Sequence, residues 1–146
     1  MESKKHVQVA AAVITRTNAD GTTEIFCAQR PGPKPEKEAN ETNYKWEFPG
    51  GKLEQGETPE QALVREIKEE LDTEIAINKF VTTVTYEYNS FIITMHCYFC
   101  TVKSGSLVLK EHLASRWLTI QQLNCMDWAP ADIEAVKAVI KNIPKK

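Results

Sequence analysis

Two runs of apolar residues near the start of the chain predict a pair of β-strands. Residues 7–14 are apolar except for Gln8, which indicates a buried strand. Residues 24–29 form the second run. The segment 18–21 between them ends in Asp-Gly, a pair that is typical of hairpin turns. We therefore expect the two runs to pair as antiparallel strands.

The next stretch predicts a loop and then a short apolar segment. Residues 31–43 contain three prolines, and four charged residues precede Asn40. This composition is typical of a surface loop. Residues 46–48 are mainly apolar and are followed by Pro49 and two glycines.

Residues 58–71 show the clearest helical pattern in the sequence. Thr58 is a suitable N-cap, Pro59 occupies the first helical position, and Gln61 completes a capping box. The apolar stripe of this helix, with one residue every four positions, consists of Leu63, Ile67 and Leu71.

The second half of the chain predicts more strands and a last helix. The expected strands are residues 75–88, 91–102 and 116–118, with turns at 89–90 and 104–106. From Pro130 to about residue 141 the pattern is helical, and the apolar positions on one face are Ile133, Val136 and Ile140. Strands, a helix, more strands and a final helix indicate an α+β layered domain.

Length, composition and charge exclude several classes of protein. The 146 residues suit one domain, residues 1–146, with 42% hydrophobic and 26% charged residues. This composition excludes a disordered chain, a collagen-like repeat and a coiled coil. The net charge is −2 and the pI is about 6.0, so no polymeric nucleic acid is expected as a partner.

No membrane span or export signal is expected. No apolar run approaches the roughly 18 residues that a spanning helix requires. Lys4 and Lys5 precede an apolar run, but that run is short and ends in Thr15-Arg16 rather than in a cleavage site. A first strand is the preferred interpretation, and we expect a cytoplasmic protein.

The four cysteines, Cys27, Cys97, Cys100 and Cys125, do not form a disulfide framework. Cys97 and Cys100 have the spacing of a zinc or redox pair, but they lie in the predicted strand 91–102. Residues three apart in a strand point to opposite faces, which disfavours a shared metal.

Three glutamates on the first helix form an acidic face. Glu66, Glu69 and Glu70 have i, i+3 and i+4 spacing, and like charges at this spacing repel one another. Residues 51–75 contain eight acidic and three basic residues, a net charge of −5. The face is either solvated or binds a cation, and such oxygen ligands suit Mg²⁺ or Mn²⁺. Two further groups, the Gly50 carbonyl and Glu57, can join this cluster.

The same region resembles a known family. Its pattern is Gly51-x5-Glu57-x7-Arg65-Glu66-Ile67-x-Glu69-Glu70, which is similar to the signature of the Nudix hydrolases. That signature usually continues with Gly and an aliphatic residue, where this chain has Asp72 and Thr73. Glycine there would form a left-handed helix cap, a conformation that Asp adopts at some cost.

Segments outside this pattern resemble the MutT-type branch of the family. They are Trp46-Glu47-Phe48-Pro49-Gly50-Gly51-Lys52 and Trp128-Ala129-Pro130-Ala131-Asp132. The resemblance implies a Nudix-type α/β/α sandwich around a central mixed β-sheet. It also implies Mg²⁺-dependent hydrolysis, with Mn²⁺ as the alternative ion, of a nucleoside triphosphate to the monophosphate and pyrophosphate. Resemblance to this branch further implies a role in nucleotide-pool house-cleaning of the 8-oxo-dGTP or CTP type, that is, the removal of damaged or non-standard nucleotides.

The resemblance also implies roles for individual residues. The metal ligands would be Gly50, Glu57, Glu66, Glu69, Glu70 and Glu111. Arg65 would orient the glutamates, unless it is an ordinary exposed helix arginine. Glu111 is either a ligand, a general base or a solvated loop charge, and His112 beside it can tune it. Arg30 and Lys52 would contact phosphates.

Base recognition is expected from two residues. Phe48 would line the base pocket, and Asp132 occupies the place of a polar base-contacting residue in the branch. Its carboxylate can accept a hydrogen bond from an exocyclic amine. Alternatively, Asp132 only complements the dipole of the last helix.

Three alternatives to triphosphate hydrolysis stay open. A Nudix hydrolase can act on another diphosphate-linked nucleotide, such as a dinucleoside polyphosphate or a nucleotide sugar. A non-catalytic nucleotide-sensing module is a third possibility, but it would be expected to lack some of the glutamates that are present here. A small-molecule nucleotide is the expected partner in each case. The sequence does not distinguish a monomer from a dimer.

Overall fold

The computed structural model describes residues 4–143, so six terminal residues of the expected 1–146 domain lie outside it. A 3₁₀ helix, Ile120–Cys125, precedes the last helix. The strands and α-helices of the described part are β1 Lys5–Thr17, β2 Thr23–Gln29, β3 Trp46–Glu47, β4 Gly50–Lys52, α1 Pro59–Leu71, β5 Glu74–Glu87, β6 Phe91–Ser104, β7 Ala114–Leu118 and α2 Pro130–Asn142.

Strand β1 is the centre of a mixed sheet. It pairs in parallel with β6 from Lys5↔Phe91 to Ile14↔Cys100. Its carboxyl end pairs antiparallel with β2, which confirms the predicted hairpin, and its middle pairs antiparallel with β4. The remaining pairs, β5 with β6 and both β3 and β7 with β2, are also antiparallel.

The two helices cover opposite faces of this sheet. The predicted stripe of α1 is fully buried and packs with alternate residues of β1, such as Ala12 and Ile14. The other β1 residues, such as Ala11 and Val13, belong to a second core that includes α2. Burying one apolar face of each helix against the sheet produces the α/β/α sandwich that the sequence predicted.

Both ends of α1 have the predicted caps. Thr58 and Gln61 form the capping box, and Pro59 is the first helical residue. Asp72 adopts the left-handed conformation, with φ 50° and ψ 42°, and its N–H donates to the Lys68 carbonyl. Asp72 therefore replaces the usual glycine in the conformation that glycine would favour.

The buried face of α2 differs from the prediction. Ile133 is 44% exposed, and the residues that the helix buries are Ala131, Asp132, Ala135, Val136 and Val139. On the buried side of the helix, Asp132 accepts a hydrogen bond from the Phe48 N–H. The alanines on this side, Ala131 and Ala135, are buried in the second core. Tertiary contacts therefore outweigh the apolar periodicity.

Strand β4 and the 3₁₀ helix were not expected from the sequence, and the apolar segment 46–48 was not assigned to a strand, although Trp46–Glu47 form β3. Strand β4 consists largely of glycine, a residue with low strand propensity. The strand forms here because it pairs with β1. The 3₁₀ helix had no periodic signal because it is too short. Cys97 and Cys100, by contrast, are buried on opposite sides of the sheet, as expected. None of the helices within residues 4–143 is both long and apolar enough to cross a membrane.

Candidate active site

A cavity of about 470 Å³ lies beside β1, between the β3–β4 region and the segment that joins β6 to β7. Eight of the eleven predicted site residues line it. They are Arg30, Phe48, Gly50, Lys52, Glu66, Glu70, Glu111 and Asp132. The other three, Glu57, Arg65 and Glu69, are not lining residues, and hydrogen bonds connect them to Glu66.

Arg65 joins the glutamates of the acidic helix to the preceding loop. Its guanidinium holds Glu57 through two bonds, from Nε at 2.7 Å and from Nη2 at 2.8 Å. Nη1 donates to Glu66 at 2.9 Å and to Glu69 at 3.2 Å. Nη2 also donates to the Lys52 carbonyl at 3.0 Å. The planar fork of arginine suits this set of oxygens, which a lysine ammonium would not match.

The charges of this group stabilise one another. The hydrogen bond from Arg65 lowers the pKa of Glu57 to about 2, with a smaller contribution from the Glu54 N–H. The same bond, with that to Glu66, raises the pKa of Arg65. Glu57 is therefore ionised at neutral pH and serves to hold Arg65 in place.

Strand β4 lies in close contact with the acidic helix. A Cβ on Gly51 would overlap the carboxyl group of Glu66, and one on Gly50 would collide with the carbonyl of Ala10. Only glycine allows the strand to lie both against β1 and under Glu66. The glycine pair thus sets the depth at which the Glu66 carboxylate lies in the cavity.

Glu66 and Glu70 form the negative side of the cavity. Burial raises the pKa of Glu66, although Arg65 partly offsets the effect. Burial also raises the pKa of Glu70, and repulsion by Glu111 and Glu66 raises it further. No side-chain hydrogen bond holds the Glu70 carboxylate within residues 4–143. A cation beside Glu70 would relieve this repulsion.

The oxygen donors fit a hard divalent cation. Carboxylates with few neutralising partners are the ligands that Mg²⁺ and Mn²⁺ prefer. No group of three or more Asp, Glu, His or Cys side chains in the described chain is arranged to coordinate an ion as it stands. Arg65 binds carboxylate oxygens of Glu57, Glu66 and Glu69.

Asp132, on α2 beside Phe48, is a further buried acid that lines the cavity. It is 5% exposed, and its Oδ2 accepts a 3.0 Å bond from the Phe48 N–H. Burial raises the pKa of Asp132 well above its usual range, and the charge of Glu47 raises it further. The raised pKa extends the pH range over which the acid is neutral, and the neutral acid offers both a donor and an acceptor.

Sequence reasoning missed Glu47, which joins Arg30 and His112 in a partly buried group of polar contacts. Its Oε1 accepts from Arg30 Nη1 at 3.1 Å, and its Oε2 lies 2.9 Å from His112 Nε2. The available signal was a charge between Trp46 and Phe48, directly before the Pro-Gly-Gly segment. Arg30 was expected to contact phosphates, and its Nη1 is thus already paired with Glu47.

Aromatic and aliphatic side chains line the rest of the cavity near Asp132. Tyr88 and Phe91 stack with ring centroids 5.0 Å apart, and Phe48 packs against Trp128 at the same separation. Burial raises the pKa of Tyr88 to about 12, and its hydroxyl accepts from the Ala131 N–H. The cavity therefore has an acidic end and an apolar end.

Comparison with known proteins decides the family. Residues 6–139 match the NUDIX domain. The chain belongs to the Nudix hydrolase family. Escherichia coli CTP pyrophosphohydrolase is 36% identical over 92% of this chain and 91% of its own. E. coli 8-oxo-dGTP diphosphatase is 34% identical over 95% of this chain and 99% of its own.

A solved structure supports the same family assignment for this Nudix hydrolase. The MutT protein of methicillin-resistant Staphylococcus aureus 252 superimposes with a TM-score of 0.70 at 37% identity. The match covers 95% of this chain and 98% of that one. The Nudix-type fold and the MutT-type resemblance predicted from the sequence are both confirmed.

Proposed function

We propose that this Nudix hydrolase converts a free nucleoside triphosphate, NTP or dNTP, and water to the monophosphate and pyrophosphate. The observation that carries the proposal is the two-ended cavity, acidic at Glu66 and Glu70 and aromatic beside Asp132. A nucleotide has the same division between charged phosphates and a flat base. Relatives named CTP pyrophosphohydrolase and 8-oxo-dGTP diphosphatase support the same reaction.

The acidic end would hold the divalent cation that Nudix hydrolases need. We assign Glu66, Glu70 and Glu111 as its ligands, with the Gly50 carbonyl as a further oxygen. Glu57 and Glu69 are also expected members of the metal shell, and Arg65 orients them. When bound, Mg²⁺ neutralises the phosphates and activates water. Mn²⁺ is the expected substitute.

Basic residues at the cavity would bind the phosphates. Arg30 and Lys52 were expected there, and Lys34 from the loop after β2 also lines the cavity. Positive side chains beside an acidic metal site stabilise charge on a phosphoryl group, and catalysis of phosphoryl transfer consists mainly of positioning and charge stabilisation.

The apolar end would take the base. Phe48, Tyr88 and Phe91 offer flat surfaces, and the neutral form of Asp132 can donate to a ring nitrogen or carbonyl oxygen of the base. An exocyclic amine beside that acceptor can in turn donate to Asp132. We infer that the base bears an amine, as in cytosine or 8-oxoguanine, the two classes named for the relatives.

Product analysis with a panel of nucleotides tests this function. We would compare kcat/KM for canonical and modified triphosphates with Mg²⁺, and identify the products. The expected result is pyrophosphate release with a clear preference for one amine-bearing base, abolished by EDTA. Glu66→Gln and Glu70→Gln should each lose at least about 100-fold in kcat with the fold retained. Full activity of both variants would refute the metal assignment.

A matched control is available on α2. Glu134 is exposed and paired with Lys137 far from the acidic end, so Glu134→Gln should keep full turnover. Failure of the wild-type protein to cleave any triphosphate would refute the proposal and favour other diphosphate-linked nucleotides. Binding without cleavage would indicate a nucleotide-sensing module.

A further inference from the structure

We propose that His112 is a positioning residue that holds the Glu111 carboxylate at the acidic end of the cavity. The proposal rests on the proposed function, since it assigns Glu111 to the cation. Glu111 is exposed and lies in the segment 105–113 between β6 and β7, which contains neither helix nor strand. A carboxylate on such a segment needs attachments on both sides to keep one position.

One side of the segment is attached to the end of α1. The Leu107 N–H donates to Thr73 Oγ1, and the Val108 N–H donates to the Leu71 carbonyl, both at 2.8 Å. The Lys110 ammonium donates to the Glu69 carbonyl at 3.0 Å. These contacts fix the chain as far as the residue before Glu111.

On the other side, His112 makes the side-chain attachment. Its side chain is 5% exposed, and Nε2 lies 2.9 Å from Glu47 Oε2. The second carboxylate oxygen of Glu47 accepts from Arg30, so Glu47 is itself held in place. Glu111 therefore lies between two anchored neighbours, Lys110 and His112.

The buried imidazole of His112 has one polar atom without a hydrogen-bond partner in the described part of the chain, a cost that an apolar ring would not have. His112 Nδ1 is buried and has no hydrogen-bond partner within residues 4–143. A buried unpaired polar atom is costly, and a phenylalanine of similar shape would avoid that cost. Packing alone therefore does not account for a histidine at this position. Its Nε2 contact with Glu47 does.

Three substitutions separate the contact from packing. His112→Phe keeps the shape and removes the bond, and His112→Asn keeps polarity but is too short to reach Glu47. His112→Gln can place its amide nitrogen near the position of Nε2. The measurement is the Kd for Mn²⁺ alone, from the free Mn²⁺ signal in electron paramagnetic resonance, together with kcat.

We expect His112→Phe and His112→Asn each to raise the Kd for Mn²⁺ and to lower kcat, both by roughly 10-fold. This is the lower end of the effect found when a residue that supports a metal ligand is lost. His112→Gln should recover most of both. In a Glu111→Gln background, His112→Phe should weaken Mn²⁺ binding no further, because the group that it positions is gone. His96→Gln, at a histidine bonded to Thr83 and Gln8 outside the cavity, should match the wild type.

The proposal is overturned if His112→Asn binds Mn²⁺ as the wild type does, or if His112→Phe has the same effect with and without the Glu111 carboxylate. Wild-type protein that does not bind Mn²⁺ would also overturn it. Because these titrations contain no nucleotide, they are independent of the pyrophosphate assay that tests the proposed function.

Discussion

The carboxyl group of Glu66 lies directly against the Cα of Gly51, so closely that a Cβ at this glycine would overlap it. The two residues come from different elements, α1 and β4, and their contact joins the acidic helix to the strand that borders the cavity. The backbone of β4 therefore sets the position of one proposed metal ligand.

Gly51→Ala should displace the Glu66 carboxylate and lower kcat by about 100-fold, because misplacement of a catalytic group by about 1 Å costs that much. Steady-state pyrophosphate release measures the loss. Gly21→Ala is the matched control, since Gly21 lies in a remote turn with a φ of 86° and open space around it. That variant should lose about 1 kcal/mol of stability and no activity. Equal kcat for Gly51→Ala and wild type would refute the positional role.

Arg65→Lys should lower kcat by about 10- to 100-fold, because an ammonium cannot replace the bonds that the guanidinium makes to Glu57, Glu66 and Glu69. Kinetics with Mg²⁺ titrated at saturating nucleotide provide the measurement, and a raised Mg²⁺ requirement is expected. Arg16→Lys, at an arginine paired with Glu24 outside the cavity, should show no change. Unaltered kinetics in Arg65→Lys would indicate that the glutamates keep their positions without it.

The stability of the protein should depend on pH through Asp132. Because its pKa is raised in the folded state, the folded protein binds more protons than the unfolded chain above pH about 4, and stability falls as pH rises from there toward the folded-state pKa. Asp132→Asn removes this dependence and can keep the bond from Phe48. The Tm of the variant minus that of the wild type should therefore grow as pH increases from 4. A difference that does not change with pH would show that folding does not raise the pKa of Asp132.

Thr73→Val should destabilise the protein by about 1–3 kcal/mol, because the Leu107 N–H loses its acceptor in a buried site. Urea unfolding measures the change. Thr85→Val is the control at an exposed position of β5, where we expect a change within about 0.5 kcal/mol. Similar losses for the two variants would mean that the bond to Leu107 contributes little.

Local sequence patterns predicted a large part of the fold and site. The capping box of α1 and its apolar stripe depend on residues three or four positions apart, so they are visible in the sequence and the structure has both. The left-handed Asp72 was also expected from its place in the Nudix signature. Ile133 was placed wrongly because α2 buries the side that carries Asp132 and the alanines, and Asp132 bonds there to the distant Phe48, a contact that no local pattern contains.

The sequence by itself determined the acidic face of α1, because helical spacing places Glu66, Glu69 and Glu70 together wherever the helix packs. Only the tertiary structure decided what that face meets. Glu47 and His112 are 65 residues apart and Phe48 and Asp132 are 84 apart, and each pair meets only because the segment 105–113 and helix α2 pack against β3 and the residue that follows it. Contacts between distant segments form when the strands and helices pack, which leaves no periodic pattern in the sequence from which to predict them.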